Sequence, residues 1–202
     1  MKVTELETPA VVVDLDVLEQ NLRRVSEKVD AAISDLSAAG LECAVVSARS
    51  TPTAFSSHLV QSLTEIRPGT YLFNDRNTMG VRACERDHCA LRIVATVVST
   101  ALPGRAAIDG GTKTFSSDRL LSGTQAGFGE VFEGPAIVFK SMWEEHGRID
   151  ISRSDTKLSV GDKLGVIPNH VCACVNMQHR IWYHRDGIVE GSWEVAGRGK
   201  VR

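Results

Sequence analysis

LRIVATVVSTALPGRAAIDGGTK, residues 91–113, places two β-branched runs, Leu91–Ser99 and Arg105–Ile108, around a Pro-Gly turn and closes them with Gly110-Gly111. Branched side chains pack well on a pleated surface, and paired glycines supply the backbone freedom of a tight turn. The pattern continues downstream in Gly134–Phe139, Lys157–Leu158, Lys163–Ile167, Val171–Val175, Arg180–Tyr183 and Gly187–Val189. Gly161-Asp162 and Asp186-Gly187 punctuate it. Short strands with no helical period between them predict an antiparallel barrel or sandwich.

Upstream the character differs. Val11–Val13 reads as a short buried strand led in by Pro9. Asp16 with Glu19 forms a capping-box pattern. The apolar residues Leu18, Leu22, Val25, Val29, Ile33 and Leu36 then keep one face of a 3.6-residue period. Gly40 supplies the stop, so one long amphipathic helix is expected over 17–39. A short strand at Cys43–Ser47, a short helix within 54–64, an extended Thr70–Phe73 and a loop or helical turn at Asn74–Arg82 complete this part. The expected class is α+β, with a mixed α/β segment over 1–88 and an all-β domain over 89–202.

The chain has 202 residues, too few for a complete (β/α)8 barrel of about 250. Its net charge of −2 carries no basic excess, which argues against nucleic-acid binding. No leader-like segment or membrane-spanning run is visible. An odd count of 5 cysteines, unevenly spread, fits a reducing cytoplasm better than a disulfide scaffold.

Several clusters offer chemistry. In Pro168-Asn169-His170-Val171-Cys172-Ala173-Cys174, a strand would put His170, Cys172 and Cys174 on one face. An imidazole and a thiolate two residues apart suit zinc and leave an open site, with Cys174 as a further ligand. The plain alternative is a half-exposed histidine beside two inert thiols. The hydroxyl-rich turn Ser47–Thr53 can cradle a phosphate or serve as an ordinary loop. Glu144-Glu145-His146 and Asp109-Gly110-Gly111-Thr112-Lys113 read as solvated turns, and Asp87-His88-Cys89 as surface.

Taken together, TPAVVVDLDVLEQNLRRV (8–25), VVSARSTPT (45–53), EIRPGTYLFNDRNT (65–78), VATVVSTALPGRAAIDGGTK (94–113), EEHGRI (144–149), GDKLGVIPNHVCACVN (161–176) and EVAGRGKV (194–201) occur in family order. They resemble the D-serine dehydratase / D-threonine aldolase family, fold-type III pyridoxal-phosphate enzymes related to alanine racemase. The resemblance implies zinc on His170 and Cys172. Cysteine at 172 resembles the dehydratase branch, and aspartate there the aldolase branch. It implies Ser50, Thr51, Thr53 and Tyr71 at the pyridoxal-phosphate end, a D-amino-acid substrate such as D-serine, and a homodimer.

Two departures stand out. Arg49 takes a glycine position of the family. More importantly, the barrel segment bearing an Arg-Pro-His-x-Lys motif is missing, and none of Lys2, Lys28, Lys113, Lys140, Lys157, Lys163 or Lys200 lies in such a motif. The apolar stripe passes through residues 25–30 unbroken, so the family's first barrel helix reads as joined in phase to its last. The 1–88 segment then reads as a remnant of the (β/α)8 barrel. Without the Schiff-base lysine no catalytic residue is assigned, and the expectation is an impaired D-serine dehydratase-like lyase. A non-catalytic zinc-binding or dimerisation module and an aldolase-type lyase are the alternatives.

Overall fold

A computed structural model describes residues 1–41, 45, 47–48, 51–54, 57, 64–121, 127–134 and 136–200, apart from the side chains of 22, 25–26, 28–30, 32–33, 48 and 52–53. The elements run β1 (Ala10–Asp14), α1 (Leu15–Ala38), β2 (Ser47–Ala48), α2 (Thr51–Ala54), β3 (Glu65–Ile66) and α3 (Arg76–Gly80). They continue as β4 (Leu91–Ser99), β5 (Arg105–Ile108), α4 (Thr112–Phe115), β6 (Gly129–Val131), β7 (Val138–Met142) and β8 (Gly147–Asp150). The chain ends in β9 (Lys163–Pro168), α5 (Val171–Met177), β10 (Arg180–Arg185) and β11 (Ile188–Glu194).

Six strands close on themselves in the order β4-β5-β8-β7-β6-β9, and β9 returns to β4. Every pair in this ring is antiparallel. Closure depends on the length of β4. Its first half pairs with β1 (Val11 opposite Ile93), and its second half with β5 (Val97 opposite Ile108). β10 lies parallel to β1, and β11 forms the outer edge. The barrel expected from the sequence is therefore present, with β1 built into the same sheet.

Alternation explains the two apolar layers. Leu91, Ile93, Ala95 and Val97 point into the main core together with Val11 and Val13. Val94 faces the other way and meets Ala10 and Val12 in a smaller cluster. β1 is thus buried on both faces, which accounts for its unbroken valine run. The core centre is aromatic: Phe139 is fully buried, with Phe115 edge-on at 4.9 Å and Phe128 at 6.1 Å. Gly111 is required by contact, because a Cβ there would stand 2.2 Å from the Trp143 carbonyl oxygen. Asp186 (φ 47°) and Gly187 (φ 73°) form the tight β10–β11 turn in the left-handed conformations such hairpins favour.

Some expectations are corrected. Helix α1 begins at Leu15, because Asp14 is its cap: Oδ1 accepts from Asp16 N at 3.0 Å and Val17 N at 3.2 Å. Gly40, at φ 70°, follows its end as expected. Thr70–Leu72 is a 3-10 turn, with Phe73 N donating to Thr70 O. β7 starts at Val138 rather than Gly134, with Ile137 N donating back to Gly134 O just before it, Lys157–Leu158 is irregular, and β6 and β8 escaped the sequence reading. The expected strand at 171–175 is the helix α5. Most of the expected Cys43–Ser47 strand and 54–64 helix lies outside the described residues. No helix among the described residues is long and apolar enough to cross a membrane.

Candidate functional site

Pro168 ends β9 opposite Gly129, and the next two residues are fixed by their side chains. Asn169 is buried; its Nδ2 donates to the Asp118 and Gly127 carbonyls at 3.0 and 2.9 Å, and its Oδ1 accepts from Arg76 at 2.8 Å. His170 then caps α5 in an extended conformation. Its ring Nδ1 lies 3.2 Å from Asp75 Oδ2, the same oxygen that accepts from Val171 N at 3.0 Å. Asp75 is itself buried at the cap of α3, where Oδ1 accepts from Thr78 N at 2.9 Å. One carboxylate therefore starts two helices and orients the histidine.

This arrangement changes the reading of the His-x-Cys-x-Cys string. On a helix, residues two apart do not share a face. Cys172, in the first turn of α5, is exposed and hydrogen-bonded to Thr70 Oγ1 at 3.4 Å and to His170. Cys174 is fully buried, and its thiol donates to the Phe115 carbonyl at 3.1 Å. Cys174 is thereby removed as a third ligand. Burial also raises its thiol pKa.

The pair is electrostatically coupled. Hydrogen bonds to Asp75 and then Cys172 push His170 up to about 10. The His170 hydrogen bond in turn lowers the Cys172 thiol against an opposing effect of burial. An imidazole keyed by a buried carboxylate beside a thiol is a donor set that suits zinc, and such outer-shell carboxylates fix the histidine tautomer. Among the described residues no three His, Cys, Asp or Glu side chains converge as a ligand set, so the pair supplies two donors to an open site.

A cleft of about 260 Å3 opens beside Cys172 and Thr70, walled by Phe73, Val171, Val175 and Val195. A larger cleft of about 740 Å3 on the barrel contains the paired Lys140 and Asp150 but no His or Cys, so the smaller one is the candidate site. Thr51 and Tyr71 do not line it but are linked to each other behind Thr70. Tyr71 N donates to the buried Thr51 Oγ1 at 3.3 Å, and Tyr71 follows Thr70 directly in the 3-10 turn. Ser50 lies outside the described residues, as does the side chain of Thr53.

Among the described residues no lysine lines the cleft, so none there is placed to anchor a pyridoxal phosphate covalently. Lys163 donates to Thr96 at 2.9 Å, Lys140 pairs with Asp150 at 3.3 Å, and Lys113 pairs with Glu145 on the surface, all on the barrel. The Glu144–His146 stretch is the solvated β7–β8 turn, closed by Trp143 N to His146 O at 2.8 Å. Sequence reasoning missed Asp75 and Thr70. The available signal was Asp75 three residues before Thr78, a cap pattern inside the quoted 65–78 string.

Cys172 is the exposed member of the four described cysteines. Iodoacetamide is expected to modify it before Cys84, Cys89 and Cys174, and zinc is expected to protect it, as read by peptide mass spectrometry. Equal labelling with and without zinc would remove the thiol from the ligand set.

The sequence model of the family described as "Putative serine dehydratase domain" matches residues 90–184. The D-threo-3-hydroxyaspartate dehydratase of Delftia sp. HT23 is 33% identical over 185 residues, spanning 84% of this chain and 47% of that protein. Its solved structure superposes with a TM-score of 0.65 at 32% identity, covering 95% of this chain and 53% of that one. A cysteine-to-alanine variant of that dehydratase has been solved in a metal-free form (TM-score 0.67, 30% identity, covering 95% and 53%). The uncharacterized protein Mb1449 of Mycobacterium bovis is 33% identical over 134 residues, spanning 64% of this chain and 98% of that protein. An alanine racemase-like protein from Idiomarina loihiensis superposes with a TM-score of 0.69 at 27% identity, over 80% of this chain and 46% of that one. The chain thus spans about half the length of the Delftia dehydratase. By the relatives it matches and the barrel it shares with them, the chain belongs to the D-serine dehydratase-like family of lyases, the fold-type III pyridoxal-phosphate enzymes related to alanine racemase.

Proposed function

We propose that this chain binds a single zinc ion through His170 and Cys172, keeping the hydroxyl-polarising half of a D-amino-acid lyase site without the Schiff-base half. The supporting observation is Asp75: a buried carboxylate holds the His170 ring beside the Cys172 thiol at the mouth of the cleft. When bound, zinc supplies Lewis-acid polarisation of a substrate hydroxyl. His170 and Cys172 hold it, Asp75 fixes which ring nitrogen is free to bind, and Phe73, Val171 and Val175 exclude water. The ligand class is a D-amino acid with a 3-hydroxyl, D-serine being the smallest. Cysteine rather than aspartate at 172 favours the dehydratase over the aldolase reading.

No lysine lines the cleft among the described residues, so the chain alone is expected to form no pyruvate from D-serine. The test is one sample, supplied with zinc and pyridoxal phosphate, on which metal content, visible absorbance and pyruvate from D-serine are all measured. The expected result is about one zinc per chain with no pyruvate above the protein-free blank. Pyruvate formation that borohydride abolishes would reveal a lysine-bound cofactor and overturn this reading.

A further inference from the structure

Asp87-His88-Cys89 reads as surface in the sequence, yet Cys89 is 1% exposed and Cys84 is 7% exposed. Both thiols pack with Ile167, Met79 and Phe132 in a small cluster separate from the main core. Asp75 starts α3, and Val81 N and Ala83 N bond back to the Asn77 and Thr78 carbonyls. Arg82, at φ 58°, then reverses the chain, so Met79 and Cys84 meet across one turn. Cys89 Sγ lies 3.4 Å from Met79 Sδ, and Cys84 and Cys89 hydrogen-bond each other. The zinc-binding reading of His170 and Cys172 uses none of these three sulfurs.

We infer that Met79, Cys84 and Cys89 form a second, sulfur-only metal site that takes the soft monovalent ion Cu(I). Metal–sulfur bonds of about 2.3 Å arranged in a triangle need sulfurs about 4 Å apart, and the Met79–Cys89 pair stands at 3.4 Å. The competing hard donors are committed elsewhere. His88 Nδ1 accepts from Glu85 N at 2.9 Å and its ring meets Arg24, while Asp75 serves Thr78, Val171 and His170. Zinc prefers a fourth nitrogen, sulfur or oxygen ligand that the cluster does not offer, whereas thiolate and thioether sulfurs select Cu(I). Binding converts two thiols and one Cu(I) into a complex of net charge −1 with release of two protons, and no electron is transferred. Two guanidiniums act on that charge, Arg92 on Cys89 and Arg24 on Cys84, against the carboxylates of Asp75 and Glu130, and the Arg92 Nε has no hydrogen-bond partner among the described residues. The aromatic wall is fixed by Arg92 and Arg86 stacked on Phe132.

The test is anaerobic titration of the full chain with Cu(I) held by a colorimetric chelator, compared with variants. One Cu(I) per chain is expected, retained in a His170→Ala, Cys172→Ala background and lost in Cys84→Ser. X-ray absorption should show only sulfur neighbours at about 2.2–2.3 Å. Met79→Leu conserves core volume, so the metal-free melting curve should barely move while Cu(I) affinity falls about tenfold or more. Uptake that vanishes with His170 and Cys172, nitrogen or oxygen neighbours, or indifference to both Cys84→Ser and Met79→Leu would overturn the site. So would a fully reduced chain that takes up no copper and on oxidation forms only a Cys84–Cys89 disulfide.

Discussion

Phe139→Ala is expected to lower stability by about 3–5 kcal/mol, the range for removing a fully buried aromatic ring. The ring has no exposed surface and contacts Phe115 and Phe128. Two neighbouring strands are shaped around it. A Cβ on Gly147 would lie 2.6 Å from Phe139 Cε2, and one on Gly129 would lie 3.6 Å from Cδ1. Because β7 pairs on both sides within a closed ring, its backbone has little freedom to collapse into the vacated space. Much of the cavity therefore persists, and a typical domain has only about 5–15 kcal/mol in total. Urea unfolding of the two proteins measures the difference. A loss below about 1 kcal/mol would mean that the barrel interior is not packed on this ring.

Asp75→Asn is expected to weaken zinc binding by about 10–100-fold, the usual effect of losing an outer-shell carboxylate. An amide in this position cannot both accept from Thr78 N and Val171 N and accept the His170 proton while carrying no charge. Asp75→Ala goes further. Thr78 N and Val171 N lose their acceptor in a buried setting, at about 1–3 kcal/mol for each orphaned donor. Competition with a zinc chelator reads the first effect and thermal unfolding of metal-free protein the second. An asparagine variant that binds zinc as tightly as the parent would show that Asp75 serves only the helix caps.

The contrast between these residues explains what the sequence made legible. Phe139 fell at the end of an expected strand, and β4, β5 and β9 followed from their branched residues and flanking glycines, because those signals are local. The His170–Cys174 string misled for the opposite reason. Its alternation suits a strand, but its first amide is satisfied by Asp75, some hundred residues upstream, which makes a helix start possible there. Cys89 was hidden in the same way: its polar neighbours Asp87 and His88 suggested surface, while burial comes from Ile167 on β9. His170 and Cys172 stand out by residue type, whereas Thr70 and Asp75 come beside them only through the fold. The lack of an Arg-Pro-His-x-Lys string is a reading of the given residues alone, to which the fold adds nothing.

Zinc content after equilibrium dialysis, compared between the parent chain and a His170→Ala, Cys172→Ala variant, tests the central claim most directly. About one zinc per parent chain and none above buffer in the variant, with both proteins folded, is the predicted result. Equal zinc in both, or none in either, would contradict it.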